Sequence, residues 1–288
     1  MKHKGYKIRA LIAEAEYLLV EGPHPERARL DAEALLLHIF RRANPDRNSA
    51  WLAAHWNDQT GYGPELRILV ERRCAGEPIQ YIIGETEFYG LPFHVTRDVL
   101  IPRPETEHLV EKVLSLAVRF PATRIVDVGT GSGAIAVTLA HKLPQAHITA
   151  VDLSARALAV AEGNAKRNGV DLRFLEGDLL APVAEERFDI VVSNPPYVAA
   201  TDRDTLSVEV REYEPALALF AGDDGLEVFR RLIPAAFAVL VPGGFLLLEI
   251  GFGQSPIIAA LIASAGFAQI EFTPDLQGIP RVACARRP

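Results

Sequence analysis

An asparagine, two prolines and a tyrosine stand together in SNPPYV (193–198), directly after the apolar run FDIVV (188–192). Proline cannot donate to a strand ladder and fixes its own φ, so a buried strand must end here. The side chain of Asn194 offers one acceptor and two donors, and the carbonyl of Pro195 is a further acceptor. The two residues can together accept both N–H groups of a planar –NH₂ group, and Tyr197 can stack on that plane.

Acceptors in this arrangement suit a particular reaction. Amide and aryl-amine nitrogens are poor nucleophiles because their lone pair is delocalised. Two hydrogen bonds accepted from the N–H groups localise that lone pair, and a sulfonium methyl held in line then allows direct displacement. Such positioning supplies several kcal/mol, up to roughly 7–11 kcal/mol in the best intramolecular models. The eight histidines and the two cysteines show no zinc spacing, so we predict no metal site.

A glycine-rich loop, DVGTGSGAIAV (127–137), follows a strand-like run and opens a helix. Its glycines allow close backbone approach to a ligand, and the helix N-terminus offers free N–H groups. The loop residues are Gly129, Thr130, Gly131, Ser132 and Gly133. Asp152 lies about 20 residues downstream and can accept two ribose hydroxyls, which also matches a nicotinamide-dinucleotide fingerprint. A nicotinamide oxidoreductase therefore stays open at this point.

Two aspartates end the strand-like runs that follow this loop in the sequence. Asp152 has a second interpretation as a helix cap, although Ser154 already serves as a good cap. Asp178, in EGDLL, can accept a hydrogen bond from an exocyclic amine such as that of adenine. An ordinary turn aspartate is the alternative for Asp178.

The elements that position these residues follow from the apolar pattern. From residue 123 onward strand-like and helix-like runs alternate, which predicts an α/β domain with a mostly parallel, doubly wound sheet. The strand-like runs are RIVDVG, HITAVD, LRFLEGD, FDIVVSN, GGFLLLEIG, QIEFTPD and RVACAR. Ligands bind beyond the carboxyl ends of strands in such sheets, so we expect Asn194 beside the pocket of the glycine loop.

Two regions precede this sheet. Residues 1–77 carry apolar residues at three- and four-residue spacing, punctuated by glycine and proline, which predicts a small all-α bundle. Residues 78–103 are rich in β-branched and aromatic side chains and have a turn signal at Tyr89-Gly90, which predicts a β-hairpin linker. The third region is then 104–288, which opens with a helix.

DVGTGSGAIA, VDLS, GD and SNPPY resemble the Rossmann-like methyltransferases that use S-adenosylmethionine. The Asn-Pro-Pro-Tyr tetrapeptide is shared by enzymes that methylate glutamine amides and adenine N6. The flanks resemble the HemK-type peptide-chain-release-factor glutamine N5-methyltransferases, and these segments are GEPIQYIIGETEFYGLPFHVTRDVLIPRPETEHLVE, EYEPALALFAGDDGLEVFRRLI and DLQGIPRVACARR. The resemblance spans the linker and the α/β region, whereas the N-terminal bundle agrees mainly in size and type.

The resemblance implies roles for the site residues. The glycine loop would hold the methionine part and ribose of the cofactor, Asp152 the ribose hydroxyls, and Asp178 with Leu179 the adenine. The predicted cofactor-binding residues are Gly129, Thr130, Gly131, Ser132, Gly133, Asp152, Asp178, Leu179 and Asn194. The predicted catalytic residues, which would hold the substrate glutamine, are Asn194, Pro195, Pro196 and Tyr197. Ser132 stands where threonine is frequent, and Leu179 where an aromatic residue occurs.

The resemblance also implies the reaction and the partner. A methyl group would pass from S-adenosylmethionine, leaving S-adenosylhomocysteine, to the N5 amide nitrogen of the glutamine in the Gly-Gly-Gln loop of bacterial class I release factors. Residues 1–77 would dock that protein, and 104–288 would form the methyltransferase domain. We expect a monomer without nucleic-acid or membrane partners.

Composition agrees with a cytoplasmic globular protein. Of the 288 residues 49% are hydrophobic, and the two cysteines, Cys74 and Cys284, lie far apart as in a reducing cytosol. Glu14 and Glu16 interrupt the apolar N-terminal stretch, so no signal peptide is predicted. No apolar run reaches the ~18 residues of a membrane span.

Three alternatives remain from the residues alone. An adenine N6 methyltransferase acting on nucleic acid predicts a basic recognition region. The first 80 residues instead have 12 lysines and arginines against 11 acids, and the remainder has 18 against 26. A nicotinamide oxidoreductase leaves NPPY unexplained, and a non-catalytic cofactor-binding module needs a blocked pocket.

The segment IPRPETE (101–107) has two interpretations. It is either a proline-stiffened linker or a wall of the pocket.

Overall fold

The computed structural model describes residues 5–120 and 122–288. Contacts divide the chain into two compact units. The helical unit contains the chain through Gly84 together with Ser207–Tyr213, and the sheet unit contains Glu85–Leu206 and Glu214–Pro288. The first boundary falls inside the predicted 78–103 linker, and the helical unit includes a segment from late in the sequence.

Amphipathic helices form the helical unit. They are α1 (Ile8–Leu19), α2 (Ala28–Ala43), α3 (Ser49–Ala54), α4 (Gly63–Cys74) and α5 (Ile79–Ile83), with two-residue strands β1 (Tyr6–Lys7) and β2 (Gln59–Thr60). Buried residues of α1 recur at helical spacing, namely Ile8, Leu11, Ile12, Ala15 and Leu19. Asn48 caps α3, because its side chain accepts from the Trp51 N–H at 2.9 Å. The bundle predicted from the sequence is therefore present.

The helical unit is completed by α9 (Val208–Tyr213), which follows the NPPY segment in the chain. Arg73 of α4 is 3% exposed and pairs with Asp31 at 2.7 Å and with Glu209 of α9. The Tyr213 hydroxyl donates to the Ala75 carbonyl at 3.0 Å. A buried guanidinium thus joins residues that lie far apart in the sequence.

One seven-stranded sheet forms the centre of the sheet unit. Its strands are β5 (Arg124–Val128), β6 (His147–Asp152), β7 (Arg173–Glu176), β8 (Phe188–Ser193), β9 (Leu240–Glu249), β10 (Ala268–Pro274) and β11 (Pro280–Arg286). The spatial order is β10-β11-β9-β8-β5-β6-β7, parallel from β9 to β7 and antiparallel at β11 and β10. All seven strand-like runs are strands, so the predicted fold class is confirmed.

Helices cover both faces of this sheet, because successive strand residues point to opposite sides. The helices are α6 (Thr106–Ala117), α7 (Ala134–Lys142), α8 (Ala155–Arg167), α10 (Ala216–Leu219), α11 (Glu227–Val239) and α12 (Ser255–Ser264). Ile190 of β8 packs in a core with residues of α6, α7 and α8. Its neighbour Val191 packs with α11 and α12. The doubly wound arrangement follows directly from this alternation.

The predicted hairpin is present and belongs to the sheet unit as β3 (Glu85–Phe88) and β4 (Leu91–His94). Tyr89 and Gly90 have φ values of +53° and +76°, the signature of a tight two-residue hairpin turn. The predicted linker also contains a difference, since Ile79–Ile83 is helical. Ile79 and Ile82 are buried in the helical core at helical spacing, and Gly84 ends the helix in a left-handed conformation.

No helix among residues 5–120 and 122–288 has the length and apolarity needed to cross a membrane.

Candidate active site

The carboxyl ends of the parallel strands open into a cavity of about 420 Å³, within the range of small-molecule sites. Loops after β5, β6, β7 and β8 contribute to its wall. The lining includes these predicted site residues: Gly129, Thr130, Gly131, Ser132, Asp152, Asp178, Leu179, Asn194 and Pro196. The structure thus brings together residues that span 67 positions of sequence from the glycine loop to the proline pair, as the strand topology predicts.

Backbone conformation explains the glycines of the loop. Gly129, Gly131 and Gly133 have φ values of +71°, +56° and +80°, which side chains rarely adopt. A Cβ on Gly129 or Gly131 would meet no atom within 4 Å, so both face open space in the cavity wall. A Cβ on Gly133 would instead approach Ala161 at 3.1 Å, and Gly133 is not part of the lining. Gly133 therefore serves close packing of α7 on α8.

Asp152 ends β6 and faces the glycine loop. One carboxylate oxygen accepts the Gly131 N–H at 2.8 Å, and the other accepts the Ser154 N–H at 2.9 Å. Burial raises the pKa of Asp152 above its ordinary value, and these backbone donors oppose that rise. Ser154 caps α8 by accepting from Ala157 at 3.2 Å, so Asp152 is not needed as the cap. Its carboxylate is held at the cavity wall with further lone pairs for a ligand.

Asp127, beneath the loop, is a residue that sequence reasoning missed. It is fully buried on β5, and the Thr130 hydroxyl donates to it at 2.7 Å. Burial raises the pKa of Asp127 to about 7, and the nearby Asp152 contributes to the rise. The only sequence signal was an acidic residue inside an apolar strand, where carboxyl groups are uncommon.

Asp178 and Leu179 lie at one end of the cavity. Arg231 of α11 forms an ion pair with Asp178, a partner that the sequence alone did not indicate. Leu179 has a φ of +51°, a left-handed conformation that costs free energy in a residue with a branched side chain. Leu179 is part of the cavity lining in this conformation.

Asn194 follows the last residue of β8 and is part of the cavity lining. Ser193 fixes the strand end, because its hydroxyl donates to the Val128 carbonyl at 2.6 Å. The Asn194 Nδ2 group donates to the Thr106 hydroxyl at 3.2 Å, and Thr106 in turn donates to the Glu249 carboxylate at 2.6 Å. The Asn194 amide is thus held on its donor side by two buried residues.

Glu249 ends β9, next to β8 in the sheet, and is 2% exposed. Burial raises its pKa to about 7; a hydrogen bond from Thr106 opposes the rise and the nearby Glu105 adds to it. Neither Thr106 nor Glu249 was predicted as a site residue. They come from segments 143 residues apart, so no local pattern could pair them.

Pro195 and Tyr197 are not part of the cavity lining. Tyr197 packs against the core formed with α11 and α12, and burial raises its pKa to about 12, so its phenol stays protonated. Its carbonyl accepts from the Gln254 side chain at 3.0 Å. The chain beyond it pairs with a neighbouring loop, since Val198 donates to the Leu219 carbonyl at 2.9 Å. The tetrapeptide is therefore anchored on both sides.

The IPRPETE segment (101–107) contributes Pro102, Arg103 and Thr106 to the cavity wall, which favours the interpretation as a pocket wall. Arg103 forms an ion pair with the buried Glu214 of the EYEP segment.

Asn164 of α8 is another site residue that was not predicted from the sequence. It is fully buried and donates to the Ser132 carbonyl at 2.8 Å and the His94 carbonyl at 2.9 Å. Asn164 therefore braces the glycine loop against the hairpin.

The cavity fits a nucleoside-containing methyl donor. Open backbone at Gly129 and Gly131 leaves room for a ligand close to the main chain, and the Asp152 carboxylate beside it suits vicinal hydroxyls. Within the described ranges, no group of three or more His, Cys, Asp or Glu side chains is arranged to hold a metal ion.

Comparison with known proteins agrees with the fold. A methyltransferase from Pyrococcus furiosus superposes with a TM-score of 0.52, at 19% identity, over 78% of this chain and 98% of that one. A family model described as a methyltransferase small domain matches residues 106–211. Fold, cavity and family model together define the class as a Rossmann-like methyltransferase that uses S-adenosylmethionine.

The family is defined more narrowly by three further matches. A model of the PrmC N-terminal domain matches residues 10–84. The release factor glutamine methyltransferase of Koribacter versatilis is 43% identical over 93% of this chain and 95% of its own length. That of Geobacter sulfurreducens is 46% identical over 94% and 93%. The chain belongs to the release factor glutamine methyltransferase family, which confirms the resemblance noted from the sequence.

Proposed function

We propose that this enzyme transfers a methyl group from S-adenosylmethionine to the N5 amide nitrogen of the glutamine in the Gly-Gly-Gln loop of bacterial class I release factors. Family membership supports the substrate class. The observation that carries the proposal is that Asn194 and the glycine loop line the same cavity. Asn194, the proposed hydrogen-bond acceptor for the substrate amide, thus lies in the same cavity as the loop proposed to hold the cofactor.

The residues of this chain would act by positioning. The Asn194 Oδ1 atom and the Pro195 carbonyl would accept the two N–H groups of the substrate amide, which aims its nitrogen and localises its lone pair. Bound S-adenosylmethionine supplies an electrophilic methyl group on a sulfonium centre. Tyr197 would support the substrate plane, and the Gln254 side chain anchors its backbone. Its buried phenol is neutral and therefore would not act as a base.

The other predicted contacts extend this proposal to the cofactor. Gly129, Thr130, Gly131 and Ser132 would border its methionine and ribose portions, and Asp152 would accept the ribose hydroxyls. Asp178 and Leu179 would border the adenine. Gly133 would act indirectly, since its space is filled by Ala161 and Val137.

The helical unit would dock the release factor. Residues 1–77 would then form the docking domain, 78–103 the linker and 104–288 the methyltransferase domain. The proposal makes the enzyme cytoplasmic, because its protein substrate works on ribosomes, and we propose that it acts as a monomer. It assigns no direct contact with nucleic acid.

The test is methyl transfer from radiolabelled S-adenosylmethionine to a purified bacterial class I release factor. The matched control is the same factor with its Gly-Gly-Gln glutamine replaced by alanine, and DNA and RNA are offered in parallel. Label on the unchanged factor alone would support the proposal. Label on nucleic acid and on neither factor would overturn it in favour of adenine N6 methylation.

A further inference from the structure

We propose that Thr106 and Glu249 are positioning residues that select which end of the Asn194 amide faces the substrate, and that ionisation of Glu249 switches this selection. The inference rests on the proposed function, since it assumes that Asn194 accepts hydrogen bonds from a substrate amide. It concerns two buried residues, of which Thr106 borders the cavity, and both are proposed to act through Asn194 rather than on the substrate.

An amide side chain is nearly symmetrical in shape, yet its two ends have opposite hydrogen-bonding character. With Oδ1 toward the cavity, Asn194 accepts from a substrate –NH₂ group. With Nδ2 toward the cavity, it would present donors to donors and repel the same substrate. Some neighbour must therefore distinguish the two orientations. The Thr106 hydroxyl accepts from the Asn194 Nδ2 group at 3.2 Å, and Glu249 also receives a hydrogen bond from the Asn194 side chain.

Hydrogen-bond counting shows how the selection works. An ionised carboxylate only accepts, so Glu249 takes the single proton of the Thr106 hydroxyl, at 2.6 Å. The hydroxyl oxygen can then only accept from Asn194, which fixes Nδ2 toward Thr106 and Oδ1 toward the cavity. Protonation of Glu249 lets the carboxyl group donate to Thr106. The Thr106 proton is then free to point at Asn194 and to stabilise the reversed amide.

The surroundings of Glu249 place this switch in an accessible pH range. Glu105, before α6, disfavours the ionised form, whereas Arg281 of β11 favours it, and the neutral Tyr197 lies close by after β8. Arg281 is itself shared with Asp275 at 3.0 Å. Burial is the largest influence, and the pKa of Glu249 lies at about 7. The hydrogen-bond geometry supplies the relay, and the balance of these influences sets the pH at which Glu249 ionises.

Steady-state kinetics on a release-factor substrate test the relay. Thr106→Val keeps the side-chain shape and removes the hydroxyl; we expect kcat to fall about a hundredfold with KM for S-adenosylmethionine unchanged. Thr106→Ser keeps the hydroxyl and should recover most of kcat. Thr205→Val, at an exposed position, is the matched control and should match the wild type. An unchanged kcat in Thr106→Val, or no recovery in Thr106→Ser, would overturn the inference.

The pH profile separates positioning from mere structural support. Wild-type kcat should rise with pH through an apparent pKa of about 7. Glu249→Gln can still accept from Thr106 but cannot ionise, so its kcat should lose this inflection. An inflection that persists in Glu249→Gln belongs to another group and would contradict the switch.

A readout without methyl transfer keeps the inference distinct from the proposed function. In protein with ¹⁵N-labelled asparagine, the Asn194 side-chain amide signals, assigned by their loss in Asn194→Ala, should shift with pH through the same apparent pKa. Thr106→Val should abolish that shift. If the shift is present but the release factor is not methylated, the proposed substrate is overturned and the relay is not. If the shift is absent in an enzyme that methylates the release factor, the relay is overturned and the proposed substrate is not.

Discussion

At the scale of single residues, the site depends on polar groups near the strand ends, of which Asp127 is fully buried and Asn194 and Asp152 are partly buried. Asp127 lies within β5, Asp152 ends β6 and Asn194 directly follows β8, near the converging carboxyl ends of the parallel strands. Burial reduces the competition from water, most of all at Asp127, so hydrogen bonds orient these side chains. Small changes in these side chains should therefore have separable effects on transfer, cofactor binding and stability.

Asn194→Ala should nearly stop transfer while leaving cofactor affinity largely intact. The substitution removes the acceptor proposed for the substrate amide, whereas the glycine loop and Asp152 remain in the cavity wall. A loss of kcat on the order of a hundredfold or more is expected from lost positioning. Isothermal titration with S-adenosylmethionine checks the second half of this prediction. Cofactor affinity lost together with activity would count against the substrate-clamp role.

Asp127→Asn should flatten the dependence of stability on pH. The unfolded chain ionises Asp127 near the ordinary aspartate value, whereas the folded protein holds the proton until the pH reaches about 7. The folded state thus binds more protons in this window, and the free energy of unfolding falls as pH rises through it. The slope is at most about 1.4 kcal/mol per pH unit for one group.

Urea unfolding from about pH 5 to about pH 8 measures this effect through the midpoint and slope of each curve. Glu249 contributes a similar slope, because burial raises its pKa to about 7 as well, so Asp127→Asn should leave a reduced slope. Equal slopes in the wild type and the variant would show that Asp127 ionises normally in the folded protein.

At the scale of elements, loops after the strands are held by glycines whose conformations no other residue adopts cheaply. Gly225 has a φ of +72°, and a Cβ there would overlap the Tyr197 carbonyl oxygen and approach the Ala199 nitrogen at 3.1 Å. The Gln254 side chain donates to the same carbonyl at 3.0 Å. The position of the NPPY segment thus depends on a distant turn.

Gly225→Ala should lower kcat at least tenfold by displacing the backbone beyond Asn194. Gly253→Ala is the matched control, because Gly253 also has a positive φ, +77°, but has open space around its Cβ. The control should cost only the left-handed strain, about 1 kcal/mol, and should leave kcat near the wild-type value. Similar kcat values for the two variants would show that the segment tolerates the displacement.

At the scale of the whole molecule, the chain returns to its helical unit after leaving the NPPY segment. Arg73 on α4 binds both Asp31 and Glu209, so residues from two distant parts of the sequence share one buried guanidinium. Removal of one partner from a buried ion pair leaves charge without compensation. The stability of the helical unit should therefore depend on the 207–213 segment.

Arg73→Met should lower the free energy of unfolding by about 3 kcal/mol, since the buried Asp31 carboxylate loses its partner at 2.7 Å and keeps a longer contact with Arg27 at 3.5 Å. Arg67→Met is the matched control on the same helix, because Arg67 is exposed and forms an ion pair with Glu71 one turn away. That pair should contribute about 0.5 kcal/mol. Differential scanning calorimetry of both variants checks the contrast, and equal shifts in Tm would contradict the role of Arg73.

The sequence by itself determined the strands, the glycine loop and the end of β8. Apolar alternation, positive-φ glycines and the φ of proline are local properties, so neighbours along the chain suffice to specify them. The family was also recognisable, because its motifs are contiguous. The roles of the individual site residues remain predictions.

Only the tertiary structure decided which side chains surround those motifs. Thr106 lies 88 residues from Asn194 and Glu249 lies 143 residues from Thr106, so their relay exists only once the strand ends converge. Ile79–Ile83 became a helix because the helical core buries its isoleucines, which outweighs their strand propensity. Burial and long-range pairing are properties of the packed chain, and these decide orientation and ionisation at the site.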